Sequence, residues 1–597
     1  MTASARKIRL SACIGLGLLL VLGNHQLVSL AQTLANPVLV DFFPSTNSHQ
    51  NPTSTTIETI FDQPIDPASV TSATLSLRGF SSAQPAPVYQ FMGNTVVISP
   101  TQSWLAGERV QVSVTDGLQN LSGQNLQQSV TRDFWIAARP SIGLYTRLSQ
   151  NIPWGWPILG DLNGDGLLDL LSINNAQGAV WLNNGRSAFN NTGQMLEVNS
   201  IRDMALGDLD QDGDLDLVVA QDGQYMGRFP VAYENLVFIN DGSGHFSDSG
   251  QRIGDSRTDA LALGDLDGDG DLDLVCADST RTEDNWGHDQ IWFNDGAGNF
   301  SLSPQALTEP EYHRTYDVQL GDMDADGDLD ILVTTGTLKY WVNAGDGSFS
   351  PGSQIFTYTG GYSLALGDLD GDGDLDLYEG TQAGVADNIW FNDGAGYLTL
   401  GATYYNPFTW RAKIGDLDGD GDLDVFLTSG VAGIHTAAVD NNITQIVYND
   451  GNGNFTKNPQ PELEATPGAH LDLGDIDGDG DIDAIVVYVK TNVWLNQKFF
   501  PSFNGPSFSF GRQGIFYAYT AALTPLDLAP PFTYTWQVSD HAPIQVVSDQ
   551  FQNTQVFSWD TLGSKTVQVN IEYQDETRYL ELPMEISIPV FLPQISK

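Results

Sequence analysis

Two cysteines, Cys13 and Cys276, stand in 597 residues. A disulfide framework is excluded, and stability falls to core packing and bound ions. Cations are scarce too: 25 Lys and Arg oppose 74 Asp and Glu, a formal net charge of −49. That balance excludes nucleic acid as a partner, because phosphate binding calls for a basic surface. Apolar runs long enough to span a bilayer are missing after the N-terminal segment, so the mature chain has no membrane span. Histidine is sparse, with 8 scattered residues. Gly-x-Ser-x-Gly, His-Glu-x-x-His and a Cys/His pair of catalytic spacing are all absent, and no catalytic residue is assigned.

The N-terminus reads as a secretory signal peptide over residues 1–31. Arg6, Lys7 and Arg9 form the charged start, Ile14 to Leu22 the apolar core, and Ser29-Leu30-Ala31 the small-x-small cleavage site. An uncleaved membrane anchor is the competing reading. Leu10-Ser-Ala-Cys13 precedes the apolar stretch, which is the wrong order for a lipoprotein box. After cleavage only Cys276 remains, on a strand, as a small buried hydrophobe.

What the chain has in abundance is one acidic phrase, D-x-[DN]-x-D-G-x-x-D, written seven times. The copies supply Asp161, Asn163, Asp165, Leu167 and Asp169; Asp208, Asp210, Asp212, Asp214 and Asp216; Asp265, Asp267, Asp269, Asp271 and Asp273. They continue with Asp322, Asp324, Asp326, Asp328 and Asp330; Asp368, Asp370, Asp372, Asp374 and Asp376; Asp416, Asp418, Asp420, Asp422 and Asp424; and Asp475, Asp477, Asp479, Asp481 and Asp483. Within each copy, positions 1, 3, 5 and 9 carry the acidic or amide oxygens. Position 7 offers a backbone carbonyl, and the glycine at position 6 permits a sharp turn. Hard oxygen ligands at this spacing suit Ca²⁺ better than Mg²⁺, which prefers a tighter octahedron and keeps its waters. Transition metals would recruit His or Cys, and no copy holds either. The expectation is up to seven Ca²⁺ ions, one per repeat. An EF-hand needs Glu at position 12 and flanking helices. Only Glu379 meets the first condition, and the flanks, such as Ala260–Leu263 and Leu272–Cys276, read as strands. Seven metal-free acidic turns are the alternative, opposed by the mutual repulsion of carboxylates so close together.

Loop starts are spaced 47, 57, 57, 46, 48 and 59 residues apart, a period typical of propellers and solenoids. Each unit repeats one grammar: an apolar strand, the acidic loop, a second strand, and a third strand such as Ile291-Trp-Phe293. A turn of the type Asn294-Asp-Gly-Ala-Gly-Asn-Phe300 then opens a fourth strand. Four antiparallel strands make a propeller blade, so the expected fold is all-β: a seven-bladed β-propeller over residues 140–500. The last unit lacks a clear fourth strand, and the strand-like stretch Ile142–Leu148 is placed to supply it and remove free edges. An open β-solenoid is the runner-up. Trp181, Trp292, Trp341, Trp390 and Trp494 recur at matching third-strand positions, which fits packing between blades better than a sugar platform.

The phrase Gly-Asp-x-Asp-x-Asp-Gly-x-x-Asp, with Trp-Phe-Asn-Asp-Gly, resembles the FG-GAP repeat of integrin α-subunit propellers and, more closely, bacterial FG-GAP/VCBS-type repeat proteins. The resemblance implies calcium in the blade hairpins and a secreted or cell-surface adhesion or binding role. Integrins fill such loops in only some blades, whereas all seven units here carry one.

N- and C-terminal Ig-like β-sandwich domains are expected on either side. Residues 36–137 hold Thr56–Phe61, Thr95–Ile98 and the alternating, half-buried pattern Val110–Val114. Phe61-Asp-Gln-Pro-Ile-Asp66, Ile98-Ser-Pro100 and Gly117–Gly123 are similar to bacterial Ig-like domains of surface-layer type. Residues 501–597 hold Phe532–Trp536 and Val567–Ile571 and look like a polycystic-kidney-disease-type domain, without its usual Gly-Asp-Gly turn. Val590–Lys597 is not a sortase signal.

Function is expected on the rim away from the acidic loops. The insertions Asp222–Asn235, Asp278–Gln290 and Gly430–Gln445 carry Tyr225, Phe229, Tyr233, Trp286 and His288. Crossovers add Trp154, Trp156, Tyr312, His313, Tyr404, Tyr405 and Trp410. The leading reading is a non-enzymatic calcium-binding protein recognising an extracellular glycan or protein. The alternative is a secreted carbohydrate-active enzyme of lyase or hydrolase type, for which His288, His313, His435 and His470 would have to converge.

Overall fold

Every copy of the acidic phrase closes a hairpin in the same register. The strand before it ends on glycine, and that glycine faces the position-9 aspartate across the pair. Gly160 pairs with Asp169, Gly264 with Asp273 and Gly474 with Asp483, and the other four copies follow suit. The computed structural model describes residues 35–587 apart from 279–287, 308–313, 430–443, 464–469, 525–531 and shorter internal segments. The signal peptide and the C-terminal tail expected from sequence lie outside the described residues, as do residues 279–287 and 430–443 of two of the expected insertions.

The described chain is all-β. The repeat region forms seven separate, open four-stranded antiparallel sheets, and no continuous barrel runs through them. Six sheets are built from consecutive stretches of chain. The seventh joins His470–Gly474, Asp483–Val487 and Thr491–Leu495 to Thr146–Leu148, which precedes the first sheet. Second strands such as Asp273–Asp278 are buried along their whole length, because another sheet covers each face. Apolar cores lie between neighbouring sheets. Leu206 and Leu217 of sheet two pack with Leu171 and Val180 of sheet one, and the series continues around the array. Sheets seven and one share a core as well, through Ile485, Val487 and Val493 against Leu159, Leu168 and Leu170. The recurrent tryptophans belong to these cores: Trp341 and Trp494 are buried, and Trp181, Trp292 and Trp390 pack partly buried against them.

The glycine ending six of the seven lead strands, all but Gly415, makes this spacing possible. A Cβ on Gly207 would sit 2.7 Å from Leu272 Cδ1, and one on Gly321 would sit 2.7 Å from Leu375 Cδ1. Gly474 meets Leu168 of the first sheet in the same way.

Ahead of the repeats, a four-stranded sheet (Leu39–Phe43, Ile57–Phe61, Thr95–Ser99, Val88–Met92) faces a three-stranded one (Leu75–Gly79, Arg109–Val114, Val130–Trp135). Ile57, Val96, Trp104, Val112 and Phe134 fill the space between them. One expectation fails here. The alternation of Val110–Val114 predicts a half-buried strand, yet all five of these residues are buried. On its polar side Gln111 bonds Asp133 of the same domain and Ser113 bonds Asp265 of the third acidic loop, a long-range partner that local alternation does not reveal. After the repeats, a three-stranded and a five-stranded sheet enclose Tyr519, Phe532, Trp536, Phe557, Trp559 and Val569 as a second sandwich. No helix among the described residues is long and apolar enough to cross a membrane.

Candidate metal centre and loop face

Two backbone positions set the shape of every loop. Position 4 is left-handed at φ 59–79°, occupied by Gly in five copies and by Gln211 and Ala325 in two. Position 6 is glycine in all seven, at φ between 82° for Gly166 and 103° for Gly327. The first range tolerates an occasional side chain, whereas the second lies beyond the region an L-residue adopts without strain.

Around this turn the carboxylates serve as acceptors for the loop's own amides. The position-6 amide donates to the position-1 carboxylate: Gly327 N to Asp322 Oδ2 at 3.0 Å, Gly480 N to Asp475 Oδ2 at 2.9 Å. The position-7 amide donates to position 5, as in Asp271 N to Asp269 Oδ1 at 3.0 Å. Position 9 is the most deeply held. Asp376 is fully buried, accepting Leu369 N on one oxygen and Asn392 N on the other, both at 2.9 Å. All seven position-9 residues repeat this pair of bonds, including Asp169 in the first loop.

The asparagine at the end of each third strand does more than the turn chemistry of Asn-Asp-Gly reveals in the sequence. Its side-chain amide donates to the position-2 carbonyl of the preceding sheet. Asn294 Nδ2 reaches Leu209 O at 2.8 Å and Asn392 Nδ2 reaches Met323 O at 2.8 Å. The same bond links sheet one back to sheet seven, from Asn183 Nδ2 to Ile476 O at 2.7 Å. Its fixed place six residues before a recurrent Phe or Leu, as in Asn294–Phe300 and Asn392–Leu398, was the available signal.

Three carboxylates come together in each of five loops. Carboxylate oxygens of positions 1, 3 and 9 lie within 4.8 Å of one another in Asp208, Asp210 and Asp216, in Asp368, Asp370 and Asp376, and in Asp416, Asp418 and Asp424. Positions 1, 3 and 5 do so in Asp265, Asp267 and Asp269 and in Asp322, Asp324 and Asp326. Position-7 side chains stand outside these five groups. Those of Asp271, Asp328, Asp374 and Asp422 rest against the glycine of the Asn-x-Gly turn, where an added Cβ would fall 2.4–2.6 Å from an oxygen.

The donor set fits a cation. Oδ1 of Asp208, Asp322, Asp416 and Asp475 is buried with no hydrogen-bond partner, an arrangement that costs free energy unless a charge is supplied. Burial, reinforced by neighbouring carboxylates, pushes Asp416 and Asp475 up to about 7. Burial likewise raises position 9, Asp216 to about 8 and Asp424 to about 9, although each accepts backbone bonds that pull the other way. A divalent ion would reverse both pressures.

A second constellation lies at the start of the lead strands, roughly 17 Å from the loops at strand rise. Arg411 sits 3.9 Å from both Asp203 and Asp317. Arg314, Arg257 and Arg202 converge on Asp259 at 2.5, 2.9 and 3.8 Å. Burial would raise Asp259, but these guanidiniums hold it below the ordinary carboxylate range. Tyr316, Tyr362 and Trp410, each half-buried, follow one another across three sheets, with ring centroids 4.7 and 5.4 Å apart. Of the expected rim residues, Trp156 stacks on His470 at 3.5 Å and Trp410 joins the aromatic row. Tyr404 packs between sheets five and six and Trp154 against the sheet seven–one core. His470 is buried, and burial holds its pKa well below 6.5, so it stays neutral. Tyr312, His313, Tyr405, Tyr233, Trp286 and His435 lie outside the described residues. The backbones of Tyr225 and Phe229 form a small hairpin, Gln224–Met226 with Phe229–Val231.

The FG-GAP-like repeat model matches residues 161–219, 208–276, 265–333, 332–379 and 416–486, and the bacterial Ig-like domain model matches 35–135. No curated protein matches the chain at a significant level. Among solved structures, the N-terminal part of the bacterial S-layer protein SbsC is 12% identical over 38% of this chain and 44% of its own, with a TM-score of 0.15. SbsC domains 1–6 are 10% identical over 95% of this chain and 56% of theirs, also at 0.15. The extracellular domain of a proposed one-component system from B. thetaiotaomicron is 10% identical over 90% and 91%, again at 0.15. The chain spans about half the length of the S-layer structures it matches. It carries FG-GAP-like repeats across its acidic loops and a bacterial Ig-like domain ahead of them.

Proposed function

We propose that this chain is a secreted or cell-surface calcium-binding protein that recognises an extracellular glycan or protein. Its seven sheets are read as the blades of one closed propeller. Support for closure comes from the borrowed strand Thr146–Leu148, the core shared by sheets seven and one, and the bond from Asn183 back to Ile476. The observation that carries the calcium reading is the set of buried position-1 oxygens without partners. Positions 1, 3, 5 and 9 would hold the ion with the position-7 carbonyl. Its charge would neutralise the crowded carboxylates and fix the hairpin.

Ligand recognition is assigned to the face away from the loops. There the row Tyr316, Tyr362 and Trp410 offers ring faces for stacking, and Arg314 and Arg411 offer charged donors beside it. Extracellular placement is supported by the signal-peptide pattern and by calcium loops suited to millimolar ion levels. Isothermal titration with Ca²⁺ and a melting curve with and without chelator test the metal. Up to seven ions bound and a fall in Tm on chelation are expected, and an unchanged melting curve rejects the reading. A glycan and protein array probed with wild type and W410A tests the recognition face.

A further inference from the structure

The N-terminal Ig-like domain sits on the acidic-loop face, and it does so by a repeated contact. In loops three, four, five and seven the position-6 carbonyl accepts a hydrogen bond from that domain or the segment leading out of it, and in loop six the His49 ring takes that place. Thr131 N reaches Gly327 O at 2.7 Å, Asn47 Nδ2 reaches Gly373 O at 3.0 Å, and Arg139 N reaches Gly480 O at 2.7 Å. Arg78 donates to Gly270 O, and the His49 ring bonds the backbone at Gly421. The acceptors are the position-6 glycines, at φ of 95–103°. Loops one and two are touched differently: Asp161 N donates to Ser81 O at 2.8 Å, and Ala83 packs against the core of sheets one and two.

Charge follows the same pattern. Arg132 Nη1 pairs with Asp322 Oδ2, the position-1 carboxylate of loop four, at 2.9 Å. Arg139 Nη1 donates to Asp479 O in loop seven at 2.9 Å. A face of outward carbonyls can be read by a rigid partner only if every loop holds the same shape. Without a cation, the clustered carboxylates repel and that shape is lost.

We infer that docking of the Ig-like domain onto the ring of position-6 carbonyls is thermodynamically linked to calcium binding in the loops beneath it. The inference rests on the calcium reading above and adds a partner for the loop face. Linkage is reciprocal: whatever calcium adds to docking, docking adds to calcium affinity. Exposure of this face on calcium loss would separate two rigid bodies otherwise held as one, and it leaves the opposite face as the one open to an external ligand.

Hydrogen exchange on the full chain reports the contact directly, because the amides of Thr131, Arg139 and Ser141 donate to Gly327 O, Gly480 O and Asp418 O. Bound calcium is measured in the same samples. Chelation is expected to speed exchange at these three amides at least tenfold, while Val110–Val114, which pairs inside the domain, keeps its protection. In calcium, R132M is expected to raise exchange at Thr131 and leave Val110–Val114 unchanged. Calcium loss with unchanged exchange at all three amides overturns the linkage and leaves the metal reading intact. Failure to bind calcium at millimolar concentration overturns both.

Discussion

At the scale of the residue, the loop divides its labour between oxygens that hold the chain and oxygens left for an ion. Position 9 belongs largely to the first group. Replacing Asp376 by Ala would strand the amides of Leu369 and Asn392 in the interior, at a cost of roughly 3 kcal/mol. The expected lowering of the urea midpoint should persist when calcium is chelated, which separates the structural role from ligation. Position 6 gives a sharper comparison. G327A forces a side chain onto φ 103° and should cost about 1–3 kcal/mol, whereas A325G, at φ 59°, should be nearly neutral. Equal effects of the two in chemical denaturation would contradict the conformational argument. The same residues set a pH dependence. Burial raises Asp216 to about 8 and Asp424 to about 9, above their unfolded values near 4. The folded chain therefore binds protons more tightly than the unfolded one. Stability is greatest below the unfolded value and declines as pH rises toward 9. Chelated protein should melt at a lower temperature at pH 8 than at pH 5, and calcium should abolish that drop.

At the scale of the element, much was legible. The nine-residue phrase placed both strands of each hairpin, because a loop acid at position 9 opens the second strand in every copy. The recurrent Trp and the Asn-Asp-Gly turn placed the third and fourth strands. The role of the asparagine was not legible. Its partner is a carbonyl in the preceding sheet, far away in sequence, and turn propensity explained its presence without that partner. Asn392→Ala removes the bonds to Met323 O and Leu375 O and should cost about 1–3 kcal/mol. Asn392→Asp loses the same donors and should do no better, as read from thermal melts. The strand Arg109–Val114 escaped for a related reason: its polar face is buried by another domain, and alternation reports only that one face differs from the other. The convergence of Arg202, Arg257 and Arg314 on Asp259 was equally hidden, since it joins three units of the repeat.

At the scale of the whole molecule, stability is distributed over cores between sheets, so each sheet depends on two neighbours. Chelation is therefore expected to loosen the array as a unit, seen as one cooperative shift in calorimetry. Shifts confined to single sheets would argue against the shared-core picture. Replacing Arg147 by Pro in the borrowed strand removes the Arg147–Trp494 pairing and bares the third strand of sheet seven. That variant should melt earlier and self-associate in light scattering, because an unpaired edge invites another chain.

The strand supplied by Thr146–Leu148 also imposes an order on synthesis. It leaves the ribosome before any sheet of the repeat region exists, and its partner, Val493–Leu495, emerges only after the sixth sheet is complete. Until then the early segment has nothing to bond. A nascent chain released too soon holds the early half of the clasp without the late one, so truncated products would present raw edges to proteases and chaperones, while finished ones hide them.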